Sequence, residues 1–119
     1  MRRGQLEAFD KAVKMMPKHE AAWANRGNVL VGFGRYDEAI KSCGKAIELR
    51  PRWADPWYSR ARAYSLSGNT ANALSDLKKA IELRPRFRSE ASKAPEFKSL
   101  RCNAEFKALT DQGDVAPKR

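Results

Sequence analysis

The stretch Lys45-Ala46-Ile47-Glu48-Leu49-Arg50-Pro51-Arg52 recurs without change at residues 79–86. The offset between the two copies matches the period of about 34 residues at which a helix-turn-helix unit repeats along a solenoid. Such units bury their apolar faces against neighbouring units. The recurrence therefore predicts an all-α solenoid of antiparallel helix pairs.

Two consecutive units, residues 20–53 and 54–87, match at the positions that pack. Apolar residues at helical spacing predict two helices in each unit. Gly34 and Gly68 separate the helices, where the turn favours a residue that tolerates positive φ. Small residues should let the helices of each pair approach closely, and these are Gly27, Ala39, Ala61 and Ala73.

Prolines predict where helices end and begin. Pro51 and Pro85 cannot continue a helical hydrogen-bond ladder, so each should end a helix. Asp55-Pro56 predicts a helix start, with Asp55 as the N-cap and Pro56 as the first helical residue.

This pattern resembles the tetratricopeptide repeat (TPR) family, whose signature places Trp, small, aromatic and Pro residues at fixed offsets. The matching residues are Trp23, Gly27, Ala39, Ala46 and Pro51 in the first unit, and Trp57, Ala61, Tyr64, Ala73, Ala80 and Pro85 in the second. Arg26 and Arg60 stand where the family usually has Leu. The resemblance implies a right-handed superhelix whose first helices line a concave groove that binds a peptide or protein segment.

Carried onto this chain, the family's groove positions imply a set of candidate contacts: Asn28, Val31, Asp55, Tyr58, Arg62 and Ser65. An asparagine amide can bind a peptide backbone, and the Arg62 guanidinium suits an acidic ligand. The family's clamp for a terminal carboxylate is not predicted, because Ala24 stands where that clamp has Lys. The alternative interpretation is that Asn28 and Arg62 are simply solvated surface residues.

The flanks extend the array. Residues 1–19 match the second helix of an incomplete repeat, with Phe9 and Ala12 at family positions. The resulting apolar edge would be covered in a homo-oligomer, which remains an alternative. Residues 88–112 are predicted to form capping helices, and residues 113–119 a flexible tail. The side chains expected to pack on the last repeat are Phe97, Leu100, Phe106 and Leu109, with Asn103 as a helix cap.

The composition is basic. Lys and Arg total 24 against 14 Asp and Glu, a formal net charge of +10. Five arginines gather at the predicted inter-repeat turns and could form a basic ridge: Arg50, Arg52, Arg84, Arg86 and Arg88. They could complement helix dipoles or contact nucleic-acid phosphates. Nucleic acid is the less favoured partner because the chain has no known nucleic-acid-binding motif.

No catalytic, metal or cofactor site is expected. His19 is the only histidine, and neither Cys43 nor Cys102 has a second cysteine or histidine at ligand spacing. No phosphate-binding loop occurs. No apolar run approaches the roughly 20 residues that span a bilayer, and no secretory signal is recognisable. The sequence therefore predicts a non-enzymatic, cytoplasmic protein that binds other proteins.

Overall fold

A computed structural model describes residues 2–111, and all regular structure in that range is helical. Seven α-helices follow one another, with a 3-10 helix, Pro95–Leu100, between the last two. The α-helices are α1 Arg2–Met15, α2 Glu20–Gly32, α3 Tyr36–Leu49, α4 Ala54–Leu66, α5 Thr70–Leu83, α6 Phe87–Lys93 and α7 Ala104–Asp111. The tail predicted at 113–119 lies outside the described residues.

The helices pack in the order of the chain. The pairs α2/α3 and α4/α5 have the closest packing, and α3 lies against α4 as the link between them. The molecule is accordingly elongated, with extents of 49 × 27 × 24 Å. The predicted class, an all-α array of antiparallel helix pairs, is confirmed.

Small residues set the distance between paired helices. Ala39, Ala61 and Ala73 are completely buried, and a Cβ built on Gly27 would lie 2.5 Å from Cys43 Sγ. That distance leaves no room for a side chain, so α2 and α3 approach closely because residue 27 is Gly. Burial raises the pKa of the Cys43 thiol to about 12.

Each turn within a pair contains a glycine with positive φ, Gly34 at 79° and Gly68 at 88°. A residue with a Cβ is disfavoured in this left-handed conformation, so the predicted role of both glycines is confirmed.

The predicted start of α4 is wrong. The helix begins at Ala54 with Trp53 as the N-cap, and Asp55 makes no capping hydrogen bond. Pro56 is the third helical residue and is fully buried. Proline is tolerated there because the first N–H groups of a helix have no intrahelical partner.

The same tryptophan hydrogen bond occurs in both units. Trp23 Nε1 donates to the carbonyl of Pro17 at 2.7 Å, and Trp57 Nε1 donates to that of Pro51 at 3.0 Å. In both cases the indole ties the first helix of a unit to the end of the preceding helix. Tryptophan can therefore fill a wide gap without leaving its N–H unpaired.

The arginines that replace the family's Leu both form ion pairs. Arg26 Nε donates to Asp10 Oδ1 at 2.6 Å, and Arg60 binds both carboxylate oxygens of Asp76 at 2.7 and 2.9 Å. The Asp76 side chain is only 6% exposed, and its hydrogen bonds raise the pKa of Arg60. These bonds satisfy a carboxylate that would be costly to bury alone.

The N-terminal helix covers the first unit on one side. Leu6 and Val13 of α1 are buried. Met15 and Met16, at the C-terminal end of this helix, are 73% and 58% exposed. Oligomer formation through this edge stays a prediction.

The C-terminal segment continues the core of the second unit. Phe97, Leu100 and Phe106 are buried in the cluster that contains Leu77 and Ile81. Asn103 caps α7, since its Oδ1 accepts a hydrogen bond from the backbone N–H of Phe106 at 3.0 Å. We call residues 87–111 the cap. It covers the apolar side that the last repeat would otherwise expose.

Candidate functional site: the concave groove

Helices α2 and α4 carry the candidate groove residues at equivalent places. Asn28 and Arg62 stand one repeat length apart, so each lies near the middle of the first helix of its unit. Asn28 is exposed, while the Arg62 side chain is 23% exposed. Both side chains line a pocket of about 250 Å³, together with Gln5, Val29 and Gly32.

The Asn28 amide is held by the neighbouring unit. Ser59 Oγ donates a hydrogen bond to Asn28 Oδ1, and Ser59 is itself buried. With its oxygen engaged, the amide has its N–H groups available to donate. A donor of this kind can bind a peptide carbonyl.

Arg62 and Ser65 both contact the cap. Arg62 Nη2 donates to Glu96 Oε2 at 2.9 Å, and Ser65 Oγ donates to the backbone carbonyl of the same residue at 2.8 Å. Ser65 is buried, whereas the Arg62 and Glu96 side chains keep 23% and 25% of their surface exposed. The second unit's half of the groove is therefore partly filled by the protein's own 3-10 helix.

Tyr58 faces the cap as well. Its ring stacks on Phe87 with centroids 4.3 Å apart and meets Phe97 edge-on at 5.7 Å. Burial raises the pKa of Tyr58 to about 12, so the phenol is neutral at physiological pH. Tyr58 therefore packs against the cap through two aromatic contacts.

The remaining two candidates lie apart from the groove. Val31 is buried in a core cluster with Leu6 and Leu30, so its side chain is not available to a ligand. Asp55 lies in the first turn of α4, with Oδ1 3.6 Å from Arg84 Nη1, a distance typical of an ion pair and too long for a hydrogen bond. The structure thus brings together Asn28, Arg62, Ser65 and Tyr58.

Two family models, both described as tetratricopeptide repeat, match residues 20–52 and 54–87. The chain belongs to the tetratricopeptide repeat family. No curated protein is similar enough in sequence to count as a match. The family's repeats are typically modules for protein–protein interaction and usually have no catalytic activity, and the two matches include no enzyme domain.

Four of the five arginines of the basic ridge contact other residues of the chain itself. Arg50 lies 5.2 Å from the Trp53 ring, and Arg84 lies 5.7 Å from the Phe87 ring in addition to its pairing with Asp55. Arg86 forms an ion pair with Glu90 of the cap at 3.8 Å. Arg88 lies within the cap and donates a hydrogen bond to the Leu109 carbonyl at 3.2 Å. Arg52 is exposed.

Glu96 contacts the candidate residues Arg62 and Ser65 and was not predicted from the sequence. It follows Arg62 by one repeat length, the same interval that separates Arg62 from Asn28. That spacing was a usable signal, although Pro95 breaks the helical pattern at this point.

Within residues 2–111, no group of three or more His, Cys, Asp and Glu side chains could hold a metal ion. Among the helices of the same range, none has the length and apolar composition that a membrane crossing requires.

Proposed function

We propose that this TPR protein is a non-enzymatic scaffold that binds a peptide or protein segment along the concave face formed by α2 and α4. The observation that carries the proposal is the pocket of about 250 Å³ beside Asn28 and Arg62. Both residues occupy the family's ligand-facing positions, and both present hydrogen-bond donors to the same space.

A second pocket extends the groove beyond Arg62. It has a volume of about 590 Å³ and is lined by Ser65, Leu66, Gly68, Pro95, Glu96, Lys98 and Ser99. Leu66 is 40% exposed there and stands one repeat after Gly32 of the first pocket. Donors in one pocket and an apolar wall in the next suit an extended segment that offers both backbone carbonyls and side chains.

Selection from a random peptide library displayed on phage tests this proposal. Peptides recovered on the immobilised protein would be synthesised, and their affinities measured for the wild type and for Leu66→Ser. We expect the substitution to weaken binding about fivefold, because part of the leucine surface is buried by the ligand.

Met15→Ser is the matched control, since Met15 is an exposed apolar residue outside both pockets. Peptides that respond equally to both substitutions, or a selection that recovers none, would contradict the groove assignment. Circular dichroism of both variants shows whether the fold is retained.

A surface that binds anions is the second candidate, and three exposed side chains favour it. Lys18, Arg52 and Arg86 follow one another at the repeat interval, so they recur once per unit along the edge formed by the inter-repeat turns. Binding of a fluorescein-labelled single-stranded oligonucleotide, measured at two salt concentrations, tests this candidate. Affinity that falls steeply with salt and with Arg52→Glu would favour it. Affinity unchanged by that substitution would exclude this edge.

A further inference from the structure

A carboxylate of the chain itself, that of Glu96, lies against Arg62 at the candidate ligand position of the second unit. Asn28, Arg62 and Glu96 follow one another at the repeat interval. The Glu96 carboxylate accepts a hydrogen bond from Arg62 at 2.9 Å. The cap therefore places an acceptor against the guanidinium where a peptide side chain would approach it.

The backbone and the side chain of Glu96 are held differently. Its carbonyl accepts from buried Ser65, and the next residue, Phe97, is completely buried, so the backbone at this point is fixed. The carboxylate lies on a side chain that is 25% exposed and reaches a guanidinium that is 23% exposed. The carboxylate can leave Arg62 by rotation of its own side chain, without displacement of the 3-10 helix.

The two pockets meet at this ion pair. Arg62 lines the first pocket and Glu96 lines the second, so a segment that crosses from one to the other must pass over the pair. Exposed Lys98 adds a positive charge to the second pocket. When Glu96 rotates away, the groove between Asn28 and Lys98 has a net positive charge.

We propose that the ligand of the groove is an acidic segment, one of whose Asp or Glu side chains replaces Glu96 on Arg62. This inference rests on the proposed function, because it names the chemistry of the same ligand. Glu96 then acts as an internal competitor that lowers the affinity of any segment whose carboxylate must displace it from Arg62. Guanidinium–carboxylate pairing supplies the selectivity, since Arg can bind both carboxylate oxygens.

Glu96→Gln tests the proposal. The substitution keeps the side-chain size and the backbone carbonyl that accepts from Ser65. It removes the competing charge and replaces one carboxylate oxygen by an NH2 group. The probes are synthetic peptides from the library selection and their counterparts in which each Asp or Glu becomes Asn or Gln. We expect Glu96→Gln to bind the acidic peptides about three to ten times more tightly than the wild type.

Two further variants make the result specific. Glu105→Gln removes one negative charge at an exposed residue of α7, outside both pockets, and should leave affinity unchanged. Arg62→Gln should abolish the difference between each acidic peptide and its neutral counterpart. An equal gain in Glu105→Gln would overturn the proposal, because it would reduce the effect to net charge.

The outcomes separate the proposal from the function on which it rests. Peptides that lose affinity in Leu66→Ser, yet show no acidic preference and no response to Glu96→Gln, would overturn the internal-competitor proposal and leave the groove function standing. Peptides whose affinity is unchanged by Leu66→Ser would overturn both the internal-competitor proposal and the groove function.

Discussion

The close approach of α2 and α3 at Gly27 allows a quantitative test of the packing. A Cβ on this residue would lie 2.5 Å from Cys43 Sγ and 3.5 Å from the Ala39 carbonyl oxygen. Cys43 is completely buried, so its sulfur cannot move into solvent to make room. Gly27→Ala therefore requires either a new Cys43 rotamer inside a packed core or a separation of the helices.

Two effects of opposite sign set the magnitude. Alanine stabilises a helix interior by about 0.5–1 kcal/mol relative to glycine. Overpacking of a core by a methyl group costs about 1–3 kcal/mol. We expect Gly27→Ala to lower the free energy of unfolding by about 0.5–2 kcal/mol, which corresponds to a decrease in melting temperature of several degrees.

Gly44→Ala is the matched control in the neighbouring helix. A Cβ there would meet only Arg60 Nη1 at 3.5 Å, an ordinary contact with the end of a flexible side chain. Because the helix-propensity gain remains and the overpacking is absent, this variant should be more stable than the wild type by about 0.5–1 kcal/mol.

Urea unfolding followed by circular dichroism at 222 nm measures both changes. The double variant Gly27→Ala/Cys43→Ala adds a further test, since removal of the sulfur opens space for the new methyl group. We expect the free energy of unfolding of the double variant to be about 1 kcal/mol higher than the value predicted by adding the changes of the two single variants. A Gly27→Ala protein as stable as Gly44→Ala would refute the close approach of α2 and α3.

Three other predictions follow from the same structure. Asp76→Ala should lower the free energy of unfolding by about 2–3 kcal/mol, because it leaves Arg60 without its partner; an unchanged urea midpoint would show that the ion pair is dispensable. Asn103→Ala should lower the free energy of unfolding by about 1 kcal/mol, because the N-cap hydrogen bond of α7 is lost, and Asn103→Asp, which keeps the acceptor, is its control. With iodoacetamide at neutral pH, exposed Cys102 should react while Cys43 is protected by burial and by its raised pKa. Modification of both thiols at equal rates in the folded protein would contradict this placement.

The repeated sequence predicted the helices and their turns because the relevant constraints are local. Gly34 and Gly68 mark the turns since positive φ excludes most other residues there. The start of α4 was predicted wrongly because the local capping signal did not decide it. Asp55 is a good capping residue, but the helix already begins at Ala54, so the carboxylate lies inside the first turn. The two starts are two residues apart, and the choice between them depends on packing around buried Pro56, which one sequence does not show.

The groove was harder to predict because its composition depends on contacts between distant residues. Tyr58 and Arg62 were assigned to a ligand on the basis of their repeat positions. In the structure they contact Phe87, Phe97 and Glu96 of the cap. Recognition of this contact from sequence would have required knowledge of how the chain turns at Pro95, where the helical pattern breaks.

The cap covers the second unit on the side where a following repeat would pack. The last unit leaves the apolar side of α4 and α5 uncovered, and Phe97 and Leu100 fill the place that a following first helix would take. A segment that packs there necessarily runs beside the groove, because α4 contributes to both surfaces. A charged residue at that border must be solvated or paired, and Glu96 is paired with Arg62. The packing that covers the last unit therefore also places a carboxylate beside the candidate groove residue Arg62.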